Sequence, residues 1–327
     1  VEGELVLKPI PAACLLLLST TGWCQSTTPA STQQPTQDTQ PITTLKVAAR
    51  VVEISAVVKS KGGEHEGGLT KDDFILKQDG KPQPIRYFSR GSDLPLTLAL
   101  MVDTSGSQRT FINDEALASD VFFETMMGRK QDRAMLVQFD VSVQQLQGMT
   151  NSPNILHLAL TRLSSHASAA NGTLLNDAVY SVAKNILAKE AGRKAIVLLT
   201  DGGENGSRSS LADAIEQVQR ADVQVYSILY SAQNEAAKFG VITGTSDPGM
   251  KLLQSLSEAT GGRVFTVSPT LSLREIYAQI SQDLRLQYAL AYTPPADTQP
   301  NSYHKLELKA KNNKLTVQAR KGFFAAP

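Results

Sequence analysis

Two kinds of hydrophobic pattern divide the chain. From about residue 94 to 285, short continuous apolar runs alternate with stretches whose apolar residues recur at helical spacing. LPLTLALMV (94–102), RAMLVQF (133–139), KAIVLLT (194–200) and VQVYSILY (223–230) have no polar alternation, as in strands buried on both faces of a parallel sheet. VSVQQLQ (141–147) alternates and reads as an edge partner, and RVFTV (263–267) as a further strand. Helices are predicted between them. One runs from Thr110 to Met127 and stops at Gly128, and SPNILHLALTRL opens with Ser152 as N-cap and Pro153 in the first turn. TLLNDAVYSVAKNILAKEAG (173–192) is predicted to stop at Gly192. SLADAIEQVQRA (210–221), MKLLQSLSEATGG (250–262) and LSLREIYAQISQDL (271–284) complete the set. Regular alternation of strand and helix predicts a doubly wound, Rossmann-like α/β sheet.

Both flanks read as β structure. KVAARVVEISAVVKSKGG (46–63) is one long strand ending in a glycine turn. In GLTKDDF, Thr70 and Asp73 have the spacing of a capped helical turn. FILKQDGKPQPIRYF (74–88) places two strands around Asp79-Gly80. LQYALAYTP (286–294), YHKLELKAK (303–311) and KLTVQARKGFF (314–324) give three more, the last two joined by Asn312-Asn313. Neither flank is large enough to close on itself. The two are therefore expected to form one β-sandwich-like domain with the α/β domain inserted, burying Val51, Phe74 and Ile85.

The first 44 residues differ from the rest. IPAACLLLLSTTGW (10–23) is an apolar segment of export-leader length, too short to span a bilayer comfortably, with Lys8 before it and Glu2 and Glu4 opposing. Cys24 leaves a lipoprotein reading open, although Trp23 stands where a small residue is expected. QSTTPASTQQPTQDTQPITT (25–44) is nearly all Ser, Thr, Gln and Pro and is expected to be a disordered linker. The expected organisation is thus a leader (1–24), a linker (25–44), an N-terminal β part (45–92), the α/β domain (93–285) and a C-terminal β part (286–327). This places the folded body outside the cytoplasm, in contact with a membrane only through the leader or a lipid anchor at Cys24.

Composition narrows the function. The chain of 327 residues carries a net charge of +1, and its Lys and Arg are scattered, which argues against nucleic-acid binding. The 2 cysteines, Cys14 and Cys24, both lie near the start, so the remainder holds no disulfide and no thiolate metal site. His65, His157, His166 and His304 lack zinc-ligand spacing.

The chemistry gathers at strand ends. LALMVDTSGSQRT (98–110) ends a buried strand in Asp103 and follows it with Ser105, Gly106 and Ser107, the glycine read as allowing a tight turn. NGTLLNDA puts Thr173 just before a helix, and LLTDGGEN puts Asp201 at the end of another buried strand. Ligands of open α/β sheets bind beyond the carboxyl ends of the strands. Two acids and three hydroxyls converging there form a hard-oxygen set suited to Mg²⁺ or Mn²⁺. Taken alone, a strand-end Asp before Ser is an ordinary helix N-cap; it is the three motifs together, in this order, that point to a metal. Asp177 could lie behind the site or simply complement a helix dipole. Glu204 and Asn205 could line the rim or belong to a solvated loop. Asp140 reads as a hairpin turn.

DTSGS, GT and TDG resemble the metal-ion-dependent adhesion site (MIDAS) of the von Willebrand factor A domain, over about residues 94 to 285. The flanking β segments resemble a secreted bacterial subgroup, the VWFA-related domain abundant in Acidobacteria. The resemblance implies that Ser105, Ser107 and Thr173 ligate through hydroxyls and that Asp103 and Asp201 bind directly or through water. It also implies that the open coordination position takes an Asp or Glu carboxylate from a protein partner. Two other readings remain. A haloacid-dehalogenase-like phosphotransferase also puts Asp and Mg²⁺ at a strand end, but it needs a second Asp where this chain has Ser105. A structural envelope protein is the other. No G-x-S-x-G or P-loop motif is present, and the expectation is a protein that is not an enzyme.

Overall fold

The structure is a computed structural model that describes residues 51–90, 95–163, 172–231 and 248–326. The leader, the linker, Cys14, Cys24, the start of the opening strand and His166 lie outside the described residues.

Six strands form the central sheet: β5 (Leu96–Asp103), β6 (Arg133–Phe139), β7 (Val143–Thr150), β8 (Arg193–Thr200), β9 (Val223–Leu229) and β10 (Val264–Thr266). Their order is β10-β9-β8-β5-β6-β7, and every pairing is parallel except that of β6 with β7. The continuous apolar runs have their expected cause. β5 is buried along its whole length, with Leu96, Leu98, Leu100 and Val102 packed into one helical layer and Ala99 and Met101 into the other. The first layer holds α1 (Ile112–Met126), α2 (Pro153–Leu160) and α6 (Leu273–Arg285); the second holds α3 (Leu175–Asn185), α4 (Leu211–Arg220) and α5 (Pro248–Thr260). β5 is the first strand in the sheet, and later strands are added to both sides of it. The switch point therefore opens a crevice beyond the carboxyl ends of β5 and β8.

The flanks build two further four-stranded sheets. One has the order β13-β1-β11-β4, from β1 (Val52–Ser60), β4 (Tyr87–Arg90), β11 (Tyr288–Tyr292) and β13 (Leu315–Ala319). The other has the order β14-β12-β2-β3, from β2 (Phe74–Gln78), β3 (Lys81–Gln83), β12 (Tyr303–Ala310) and β14 (Gly322–Phe324). Ile54, Val58, Phe74, Leu76, Leu290, Tyr292, Leu306 and Phe323 meet between them in one core, as in a sandwich. Both chain ends contribute to each sheet. β4 leads into the α/β layer, β11 follows it, and the two strands are paired. Thr70 and Asp73 form the expected capping box. Among the described residues no helix is long and apolar enough to cross a membrane.

Several expectations need correction. The helix after Thr173 ends at Asn185 and is followed by a short 3-10 turn, Leu187–Lys189. Gly192 instead turns the chain into β8 at φ 83°, where a β-carbon would lie 2.6 Å from the Pro95 carbonyl oxygen. Asn312-Asn313 does not close a hairpin: β12 pairs with β2 and β13 with β1, so the link crosses from one sheet to the other. The run after Asp79-Gly80 splits into β3 and β4, and KLTVQARKGFF into β13 and β14, each pair divided between the two sheets. Val51 is 42% exposed; Val52 takes the core position expected of it.

Candidate metal centre at the carboxyl edge of the sheet

Asp103 is the last residue of β5 and fully buried. Its Oδ1 accepts a hydrogen bond from the Ser105 amide (2.9 Å) and its Oδ2 one from the Thr200 hydroxyl (2.6 Å). Burial is the main influence on this carboxyl and pushes its pKa up to about 6; the Ser105 and Thr200 hydrogen bonds oppose the shift and the nearby charge of Asp201 adds to it. Ser105 then caps a 3-10 turn, Gly106–Gln108, with its Oγ 3.2 Å from Ser107 Oγ. The loop is held at both ends. The Thr104 amide donates to the Phe139 carbonyl at the end of β6 (2.9 Å), and Gln108 Nε2 donates to the Tyr230 carbonyl beyond β9 (3.1 Å). Gly106 is exposed, is not among the residues with positive φ, and has open space where a β-carbon would go. The conformational reason given for a glycine there is therefore corrected: this turn follows backbone that any residue can adopt.

Thr173 and Asp201 approach from the other side. Asp201 follows β8, and its Oδ1 accepts from the Gly203 amide (2.9 Å). A β-carbon on Gly203 would lie 3.0 Å from Asp201 Oδ1 and 3.9 Å from Thr173 Oγ1, so these two oxygens border the same space. Thr200 joins the halves: its hydroxyl donates to Asp103 and accepts from the Gly202 amide (3.0 Å). Gly202 has φ 78° and packs directly on Gly249, whose Cα would be 2.5 Å from a β-carbon there. No larger residue fits that contact without moving backbone.

The remaining candidates support the loops. Thr173 and Asn205 exchange backbone hydrogen bonds, both 2.9 Å. Glu204 accepts from the Asn176 amide (2.8 Å) and from the Ser207 amide and hydroxyl (3.1 and 2.9 Å). Asp177 accepts from the Arg208 and Ser209 amides (2.9 and 2.8 Å), and these bonds outweigh its partial burial and hold its pKa below the usual value. Glu204 and Asp177 thus fasten the start of α3 to the loop after β8. Asp140 sits in the β6–β7 turn, where its Oδ1 accepts from the Ser142 amide (2.8 Å). His65, His157 and His304 each lie against a different Asp: Asp283, Asp120 and Asp79.

Two buried residues of this region, Gln108 and Glu115, carry no motif signal, and Thr200, the threonine of TDG, is buried with them. Glu115, in the first turn of α1, is fully buried, and both of its carboxyl oxygens lack a hydrogen-bond partner. Burial raises its pKa well above the usual value, and the charges of Asp103, Asp201 and Asp114 push it the same way.

The chemistry of the edge fits a hard cation. Among the described residues no three His, Cys, Asp or Glu side chains gather as a metal cage, so a cation here would depend on hydroxyls for part of its shell. Ser105, Ser107 and Thr173 supply them, and Asp103 accepts at Oδ1 from the Ser105 amide and at Oδ2 from the Thr200 hydroxyl, which leaves lone pairs on both oxygens.

An α/β sheet whose first strand ends in Asp-x-Ser-x-Ser, facing Thr173 and Asp201 across the switch point, defines a class of domain. The model of the von Willebrand factor type A domain matches residues 97–279, more than half of the chain, and the chain belongs to that family. No curated protein sequence matches it. Among solved structures it is similar to von Willebrand factor type A from Catenulispora acidiphila, at 14% identity over 78% of this chain and 74% of that one, with a TM-score of 0.47. It is also similar to the conserved hypothetical protein BatB from Bacteroides thetaiotaomicron, at 14% identity over 58% and 97%, TM-score 0.44. A third is the vWF domain of the type V pili tip protein Mfa5 from Porphyromonas gingivalis, at 13% identity over 58% and 94%, TM-score 0.42.

Proposed function

We propose that the protein binds a partner protein through a divalent cation at the carboxyl edge of its central sheet. Mg²⁺ or Mn²⁺ would be held by the hydroxyls of Ser105, Ser107 and Thr173, with Asp103 and Asp201 binding directly or through water. The observation that supports this reading is that Thr173 Oγ1 and Asp201 Oδ1 border one space and that Thr200 ties Asp201's turn to Asp103, which heads the Ser105–Ser107 loop. When bound, the cation supplies a concentrated positive charge. Because much of the donor set is neutral hydroxyl, that charge stays available to an Asp or Glu carboxylate of the partner. The apolar segment and linker before the folded body support a place outside the cytoplasm.

Catalysis is not part of this reading. Asp103 is buried with both oxygens held by donors, a poor arrangement for a nucleophile, and Ser105 cannot serve as general acid or base near neutral pH.

Calorimetry with the purified protein tests the site. The wild type is expected to bind one Mg²⁺ or Mn²⁺, and Asp103→Ala to lose it while keeping its circular dichroism spectrum. Equal affinity in the variant sinks the site. Surface plasmon resonance against an Asp-bearing peptide and its Asn counterpart then tests the ligand. Binding of the Asp form alone, abolished by EDTA and weakened by Thr173→Ala more than cation binding is, supports carboxylate capture. Binding indifferent to EDTA rejects it. Asp103-dependent hydrolysis of a phosphate ester would replace this reading with the enzymatic one.

A further inference from the structure

Glu115 has no account in the fold. It is fully buried in the first turn of α1, and neither carboxyl oxygen has a hydrogen-bond partner. A buried carboxyl without a donor contributes nothing to packing that an apolar side chain would not contribute at lower cost. Its neighbours sharpen the point. The charges that act on it are the carboxylates of Asp103, Asp201 and Asp114, all of its own sign, and Tyr277 on α6 is the further titratable group whose ionisation it opposes. No cationic side chain is among the influences on it. Gln108, on the segment leading into α1, likewise has a buried Oε1 without a partner. Among the described residues, the charges found to act on Glu115 are thus all negative, and a second buried acceptor, Gln108 Oε1, is unpartnered nearby in the chain. Glu115 shares no hydrogen bond with the five candidate ligands, so it acts on them through charge rather than contact.

We propose that Glu115 is a positioning residue behind the cation site, whose negative charge is stabilised by a cation at the edge, so that loading the site and ionising Glu115 are coupled. This rests on the cation-site reading above. Without a cation the carboxyl keeps its proton, the neutral form a buried and unpartnered acid prefers. With two positive charges nearby in a medium of low polarity, the ionised form becomes favourable and the proton leaves to solvent. The neutral inner shell and the charged residue behind it then divide the work. The hydroxyls leave the cation attractive to an incoming carboxylate, while Glu115 raises affinity without occupying a coordination position.

The test is calorimetric titration of the full chain with Mg²⁺ and Mn²⁺ at pH 6, 7 and 8, in pairs of buffers with different ionisation enthalpies, for wild type, Glu115→Gln and Asp103→Ala. Glu115→Gln mimics the protonated acid, so its metal-free melting temperature is expected to equal or exceed that of the wild type. Its cation affinity at pH 8 is expected to be at least about tenfold lower, the gap closing towards pH 6, with up to one proton fewer released per cation bound. A purely structural role would not move the proton count or the pH profile. Glu115→Gln with wild-type affinity and proton release at every pH overturns the proposal and leaves the cation site standing. A wild type that binds neither cation, or binds as Asp103→Ala does, overturns the site itself and this proposal with it.

Discussion

At the scale of single residues, the edge of the sheet concentrates acid where the protein is driest. Asp103 shows the consequence. Burial pushes its carboxyl up to about 6 from an ordinary 3.8. The folded state therefore holds this proton more tightly than the unfolded chain does. Its contribution to stability is complete below about pH 4 and is lost as pH rises through about 6, a difference on the order of 3 kcal/mol. Asp73, Asp79, Asp177, Asp213, Glu275 and Glu307 have lowered values and act in the opposite direction, so the raw stability curve mixes the two. Asp103→Asn separates them. In metal-free protein, urea denaturation is expected to show wild type losing stability relative to Asp103→Asn between pH 4 and 7, and a saturating divalent cation is expected to reverse that loss.

At the scale of elements, the site is as rigid as the loops that carry it. α3 begins at Leu175, two residues after Thr173, and its Asn176 amide is capped from another loop by Glu204. Glu204→Ala removes the acceptor for the Asn176 amide and for Ser207, at a cost of about 1 kcal/mol. Hydrogen exchange at Asn176 and Ser207 is expected to quicken while the interior of β5 stays protected; unchanged exchange would mean that another group caps the helix. This scale also shows what was legible in the sequence. Strands buried on both faces are plain because a continuous apolar run has few other uses. The DTSGS and TDG loops are plain because their residues are contiguous. Gln108 and Glu115 are not, since each is defined by partners or charges from segments distant in sequence, such as Tyr230 for Gln108 and Asp201 for Glu115. Asn312-Asn313 misleads for a related reason: local turn chemistry signals a reversal of the chain but not which sheet the next strand joins.

At the scale of the whole molecule, the two chain ends depend on each other. β1 pairs with β11 and β13, and β2 with β12, so removing residues 286–327 strips β1 of both neighbours and uncovers Ile54, Val58, Phe74 and Leu76. The truncated chain is expected to aggregate in light scattering and to be cut by protease within residues 52–90. A soluble, protease-resistant fragment would show that the ends do not share a core. The insertion was legible because both flanks carry strand patterns without enough apolar residues to close separately. The division of those strands between two sheets depends on long-range pairing.

β5 is the strand that follows β4 in the chain, and it runs from Leu96 to Asp103 at the candidate docking edge. At about 3.3 Å per residue it spans the full depth of the layer. Its hydrogen bonds to β6 and β8 lie across that line on both sides. At the base, Asp132 accepts from the Leu96 amide at the start of β5 and from Arg285 at the end of α6, clasping the two places where the chain enters and leaves. A partner pulling on the edge while the sandwich is held would put β5 under tension along its own backbone, with the ladders to β6 and β8 bracing it on both sides. The covalent backbone of β5 would then carry a pull on the site back towards the two chain ends in the sandwich.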